Sequence, residues 1–134
     1  FEISMGIDRS LYTILEHSLK KDEEHERMVL SLKPYLSPVH VGILSLVKKD
    51  GLKEKTDEIF LNIKRKFDAF LDHSGAIGRR YRRLDEIGAP FAITVDHQTL
   101  EDNTVTIRKR DSMEQSRVNI TEIDSILSGS VAFP

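Results

Sequence analysis

The sequence predicts an α/β fold built on a mixed five-stranded sheet, a parallel βαβαβ unit continued by an antiparallel hairpin and flanked by helices. Three observations predict it. Short, nearly continuous apolar runs at residues 39–47, 67–71 and 91–95 have the composition of strands covered on both faces. The two segments between them place apolar residues at helical spacing, and strand–helix–strand order with short connections implies parallel pairing through right-handed crossovers. Further on, residues 104–110 and 113–120 alternate apolar and polar side chains around Asp111-Ser112, the pattern of an antiparallel hairpin.

Taken in order, Ile7, Leu11, Ile14, Leu15 and Leu19 make one stripe of a helix over residues 7–19, with Glu16 and Lys20 four apart on its outer side. Residues 20–27, KKDEEHER, are charged without periodicity and read as a solvated, mobile connection. Residues 28–32 suggest a short strand, and Pro34 and Pro38 bracket a stiff linker that continues neither helix nor ladder. The expected domain boundary falls there, separating residues 1–37 from residues 38–134. After the first apolar run, Lys48-Lys49-Asp50-Gly51 make a turn. Leu52, Thr56, Ile59, Phe60, Ile63 and Phe67 then form a helical stripe. A second helix starts near Gly78 with Ile77, Tyr81, Leu84 and Ile87 inward, and Gly88 and Pro90 stop it. Residues 120–127 close the chain as a helix, with Thr121 and the acidic residues after it suited to an N-terminus.

Composition narrows the function classes. At 134 residues the chain has room for one core, and 20 Lys+Arg against 22 Asp+Glu give a formal charge of −2, so it is not a wholesale polycation. There is no cysteine for a disulfide framework or a thiolate nucleophile. No apolar run is long enough to cross a bilayer, and no signal peptide opens the chain. His17, His25, His40, His73 and His97 show no paired ligand spacing, so no metal site is expected, and no Ser/His/Asp set is supported.

Residues 73–90, HSGAIGRRYRRLDEIGAP, carry the sharpest chemistry. Gly75 and Gly78 allow a tight turn into a helix whose free N–H groups face the strand ends, the edge where open α/β sheets bind ligands. Arg79, Arg80, Arg82 and Arg83 surround an inward Tyr81, so at least three guanidinium groups are expected on the exposed arc. Asp85 and Glu86 follow within a turn, and Arg82 and Glu86 have pairing distance in sequence. A solvated, salt-bridged surface helix would account for the charges. The arginine density favours instead two-point recognition of phosphates or base edges. Arg108, Lys109 and Arg110, with Arg117 on the return strand, could share a face with that helix and form a groove for a nucleic-acid backbone. Asp or Glu beside these arginines suits the exocyclic amine of cytosine.

The strings GRRYRR, DEIGAPFAITVD, DNTVTIR and RDSMEQ together resemble the anticodon-binding domain of class II glycyl-tRNA synthetases of the eukaryotic and archaeal type, from about Pro38 to about Leu127. GIDRSLYTILEHS resembles the third class II motif, which ends the catalytic domain. The resemblance implies that Arg9 corresponds to the motif arginine that holds the triphosphate of ATP, and that Glu2 and Ser4 correspond to residues near the glycine amine and carboxylate. Ile3 stands where the family has Pro, Met5 where it usually has Phe, and Lys109 where it usually has Asp. Motifs one and two are absent, so the chain reads as a fragment that does not activate glycine alone. The full-length protein implied is a cytoplasmic homodimer using ATP and Mg²⁺ to join glycine to tRNA(Gly) through glycyl-adenylate, a mitochondrial form being left open. For the fragment, the resemblance implies anticodon recognition with Arg79, Arg80, Arg82, Arg83, Asp85, Glu86, Arg108 and Arg110 as the tRNA-binding candidates. The alternative is a noncatalytic nucleic-acid-binding or polymerase accessory module of the same fold.

Overall fold

The computed structural model describes residues 3–47 and 51–132; Glu2 and the expected turn residues Lys48, Lys49 and Asp50 lie outside the described residues. Helix α1 (Ile7–Ser18) runs into a hairpin of β1 (Leu19–Asp22) and β2 (Arg27–Leu30), and a 3₁₀ turn at Pro34–Leu36 follows. The sheet domain then runs β3 (Val41–Ser45), α2 (Leu52–Lys64), β4 (Ala69–Asp72), α3 (Ile77–Ile87), β5 (Phe91–Val95), α4 (His97–Asp102), β6 (Thr104–Lys109) and β7 (Gln115–Asn119). A second 3₁₀ turn, Ile120–Glu122, leads into α5 (Ile123–Val131).

The five-stranded sheet has the order β4-β3-β5-β6-β7, with β3 parallel to both β4 and β5 and the last two pairings antiparallel. This is the expected mixed sheet. The chain leaves β3 toward one side and returns past it to β5, so right-handed crossovers place α2 and α3 on opposite faces. On the α2 side, Leu52, Ile59 and Ile63 pack with Val41, Ile43, Phe91, Ile93, Val95, Val105 and Ile107 and with Ile123 and Leu127 of α5. On the other side Leu84 of α3 packs with Leu44, Ala89 and Ala92, and Ile77, Tyr81 and Ile87 border that cluster. Alternation along each strand therefore sorts the side chains as the sequence implies.

Gly42 is what lets α3 lie this close to the sheet. A Cβ built on Gly42 would stand 2.2 Å from Leu84 Cδ1 and 2.4 Å from Cδ2, distances at which α3 or its leucine must move. At the end of α3, Gly88 takes φ 82°, the left-handed cap conformation that closes a helix, and its missing Cβ clears the Leu30 carbonyl oxygen.

Two elements differ from the sequence-based expectations. The charged segment 20–27 is an ordered hairpin rather than a mobile connection: β1 and β2 pair antiparallel from Leu19↔Leu30 to Asp22↔Arg27. Its outward side chains carry no apolar alternation, so periodicity could not reveal it; only Arg27 and Val29 turn inward and become buried. Helix α4 was not anticipated at all. Its start is encoded locally, because Asp96 accepts from the Thr99 backbone N–H at 3.1 Å while the Thr99 hydroxyl accepts from the Asp96 N–H at 3.1 Å. Asn119, rather than Thr121, caps the closing turn by accepting from the Thr121 N–H at 3.0 Å. The apolar stripe of α1 is present as expected but buries no residue; Ile7, Leu11, Leu15 and Leu19 stay exposed among the described residues.

Gly42→Ala is expected to destabilise the domain by about 1–3 kcal/mol through overpacking. Urea unfolding checks this, and adding Leu84→Ala to the same protein should recover part of the loss, since both changes act on one contact.

Candidate nucleic-acid interface

The turn into α3 is built by one carboxylate. Asp72 Oδ1 accepts from the Ser74 N–H at 2.8 Å and its hydroxyl at 2.9 Å, and Oδ2 accepts from Arg83 Nε at 2.8 Å and Nη2 at 2.5 Å. Gly75 at φ 77° then turns the chain into the helix. Burial pushes the Asp72 carboxyl up, but the Ser74 and Arg83 donors outweigh it and hold the group below the ordinary carboxylate value.

Along α3 the charged residues divide by helical position. Arg79, Arg82 and Glu86 are exposed and, among the described residues, form no ion pair, so the expected Arg82–Glu86 pair is not made. Arg83 is half-exposed on Asp72. Arg80 departs from the expected exposed arc: it is 3% exposed, and its Nη1 donates to the Ser45 carbonyl at 2.6 Å, tying α3 to the end of β3.

Asp85 is likewise buried, not solvent-facing. Its Oδ1 accepts from Arg108 Nη1 at 2.9 Å, and its Oδ2 accepts both from Arg108 Nη2 at 3.2 Å and from Arg27 Nη1 at 2.9 Å. The Arg108 guanidinium also lies 4.9 Å from the centre of the Tyr81 ring, a cation–π contact in the interior. Arg110, at 2% exposure, donates to the Gly88 carbonyl and the Leu32 carbonyl at 2.8 Å each, satisfying the end of α3. The hairpin arginines thus do meet α3, as the sequence suggested, but as internal struts. The physical reason is that each finds a fixed acceptor inside, so its charge is matched on burial. Lys109 is the hairpin cation that stays outside, paired with Glu114 at 2.8 Å.

Beside α3, the parallel register of β3 with β5 and the antiparallel registers of β5, β6 and β7 align Leu44, Thr94, Thr106 and Arg117 in one row across the sheet. The Tyr81 hydroxyl and Thr94 Oγ1 are 2.5 Å apart, and Arg117 is held by Asp96 at 2.5 and 2.8 Å and by Thr104 Oγ1 at 2.7 Å. Thr106 and Arg117 remain half-exposed and Gln115 exposed. The Arg117 donors, working against burial, hold the Asp96 carboxyl below its ordinary value. This polar row escaped the reading of the sequence, although alternation on residues 104–108 and the position of the hairpin turn contain its register. A different set was also unseen: Ser45 Oγ lies 3.0 Å from His73 Nδ1, and His73 Nε2 lies 3.0 Å from Asp57. Ser45 is fully buried, which makes its hydroxyl a strut and not a nucleophile.

Ser4 and Arg9 lie exposed at the start of α1, and Glu2 is outside the described residues. Among the described residues there is no group of three or more His, Cys, Asp or Glu placed to hold a metal ion.

Asp85→Asn should cost about 3–5 kcal/mol, because the buried Arg108 loses its counter-charge and the buried Arg27 keeps only Asp22; chemical denaturation measures it. Acid should act through the paired carboxylates. Asp22, hydrogen-bonded by Arg27 and then by His25, is held at about 2 against an ordinary 3.8. A lowered folded value means stability that is present above pH 3.8 and lost as pH falls toward 2. Melting temperature should thus drop steeply below about pH 4, with a shallower slope in Asp22→Asn.

Comparison with known proteins fits this architecture. The family model described as the anticodon binding domain matches residues 40–129. A glycine–tRNA ligase of Methanothrix thermoacetophila is 50% identical over 139 residues, which cover 98% of this chain and 24% of that protein. One of Archaeoglobus fulgidus is 50% identical, covering 94% of this chain and 23% of the relative, and one of Thermobifida fusca is 40% identical, covering 98% and 30%. The chain thus spans about a quarter of the length of these relatives. Among solved structures, the RNA binding domain of threonyl-tRNA synthetase from Cryptosporidium parvum shares the fold at TM-score 0.70 and 22% identity, over 78% of this chain and 26% of that one. Prolyl-tRNA synthetase from the same organism does so at 0.67 and 23% identity, over 76% and 23%. With strand order, helix placement and family model in agreement over residues 40–129, this chain belongs to the anticodon binding domain family.

Proposed function

We propose that this chain is the anticodon-reading part of a glycine–tRNA ligase. The observation that carries the reading is the polar row Thr94–Thr106–Arg117, buried at Thr94 and half-exposed at Thr106 and Arg117, on a domain whose α3 also carries Arg79 and Arg82, exposed and without an ion pair among the described residues. The Thr106 hydroxyl and a guanidinium pinned by Asp96 offer donors and acceptors at defined positions for base edges, and the exposed cations Arg79 and Arg82 suit phosphates. Tyr81 at the margin presents a ring already stacked on Arg108. Direct contact is assigned to Arg79, Arg82 and Glu86, with Arg83 contributing its exposed edge. Arg80, Asp85, Arg108 and Arg110 serve the same surface from beneath.

In the whole protein we assign glycine activation, through ATP, Mg²⁺ and glycyl-adenylate, to parts beyond this chain. Arg9, with Glu2 and Ser4, would join that site from the segment preceding Pro38, where we place the division between the two functions. The similarity to glycine–tRNA ligases supports tRNA(Gly) as the RNA partner, and homodimeric, cytoplasmic action of the full protein is part of the same proposal. Among the described residues no helix is long and apolar enough to cross a membrane.

Binding of this chain to a tRNA(Gly) anticodon stem-loop, and to a copy with its two anticodon cytosines replaced, tests the proposal. Loss of affinity on replacement is expected; equal affinity would overturn base reading. Arg82→Ala should weaken both RNAs alike and reduce the salt slope by about one. Thr106→Val should instead narrow the difference between the two RNAs, because it removes a hydroxyl from the reading row while leaving the phosphate cations in place.

A further inference from the structure

Asp85 stands where three parts of the molecule meet. On its outer side, Arg27 of β2 donates Nη1 to Asp85 Oδ2 at 2.9 Å and Nε to Asp22 at 2.8 Å, and its Nη1 also reaches the Arg110 carbonyl at 3.0 Å. On its inner side, Arg108 of β6 uses two nitrogens on the same carboxylate. Arg108 in turn lies against the Tyr81 ring, whose hydroxyl meets Thr94 in the reading row. Arg27, Asp85 and Arg108 are all at least nine-tenths buried, so no water replaces a donor that shifts. Asp85 Oδ2 is shared by both arginines, and a displacement of Arg27 must therefore be answered by Arg108.

We propose that Asp85 is a positioning residue that couples the β1–β2 hairpin to the reading row. The seat for an anticodon base at Tyr81 and Thr106, with the buried Thr94 hydroxyl holding the Tyr81 hydroxyl from beneath, is set in part by the buried Arg27. The inference rests on the anticodon-reading proposal and extends it from contact residues to their support. The physical means is pre-organisation. With Arg27 in place, Arg108 and Tyr81 hold one arrangement before RNA arrives, and without it the competent arrangement is only one of several. Because α1 runs directly into β1, the same connection gives whatever α1 joins a route to sense an occupied anticodon seat.

The test is a double-mutant cycle on the whole chain with the cytosine-bearing stem-loop and its cytosine-replaced copy as probes. Arg27→Met and Tyr81→Phe should each lower affinity for the cytosine-bearing RNA by about fivefold or more and leave the replaced copy unaffected. The double variant should be no worse than the weaker single one, since both act on one route. Losses that simply multiply, or unchanged selectivity in a folded Arg27→Met, would overturn the coupling. If Arg27→Met does not fold, Asp22→Ala carries the same test: it removes the acceptor at the outer end of Arg27, together with the His25 contact in the exposed turn, while Asp85 and Arg108 stay in place, and a reduced selectivity supports the coupling while wild-type selectivity overturns it. Failure of the underlying reading is distinguishable, because the unsubstituted chain would then fail to tell the two RNAs apart.

Discussion

The buried carboxylate of Asp85 is the interaction on which the arrangement of this molecule turns. It is one negative charge between two guanidinium groups from elements far apart in the chain, Arg27 at a separation of 58 residues and Arg108 at 23. A lone carboxylate at 2% exposure would be untenable, as would either arginine without it. Together with Asp22 they form an alternating row of charges, minus, plus, minus, plus, that is neutral as a whole. The hairpin is thereby fastened to α3, and α3 to the antiparallel half of the sheet, by contacts that apolar packing alone would not orient.

Around that point the apolar core does the bulk of the folding work. One face of the sheet is filled by branched aliphatic side chains from three of the strands, α2 and α5. The α3 face is thinner, with Leu84 seated over Gly42, and the row of Thr94, Thr106 and Arg117 beside it is polar. That inequality matters for function. A sheet covered equally on both faces has no open side chains to offer, whereas here Thr106 and Arg117 stay within reach of solvent beyond the buried Thr94, because α3 lies over the parallel half. The fold thus leaves a rigid, partly uncovered patch beside a helix rich in arginine, the sort of scaffold on which precise recognition is best held.

The arginines of α3 serve several purposes at once. Arg80 ties the helix to β3, Arg83 closes the turn with Asp72, and Arg79 and Arg82 are left to the solvent. Delocalised, many-donor groups suit all three tasks, which is why a residue type expected for nucleic acid is equally at home on backbone carbonyls. Arginine density alone therefore does not distinguish side chains left to solvent from those that serve as internal supports.

Much was determined by the sequence itself. The order of strands and helices, the parallel unit followed by a hairpin, the stop of α3 at Gly88 and the family resemblance are all written in periodicity, turn residues and short strings, each of which depends on neighbours a few positions away. Even α4 was locally encoded by Asp96 and Thr99, though not by an apolar stripe. What only the tertiary structure decided was the fate of individual charges: that Asp85, Arg80, Arg108 and Arg110 lie inside, that Arg82 and Glu86 do not pair, and that residues 20–27 form a docked hairpin. The reason is that a charge is buried or exposed according to whether a partner of opposite sign or a carbonyl awaits it, and those partners arrive from distant segments only when the chain has folded.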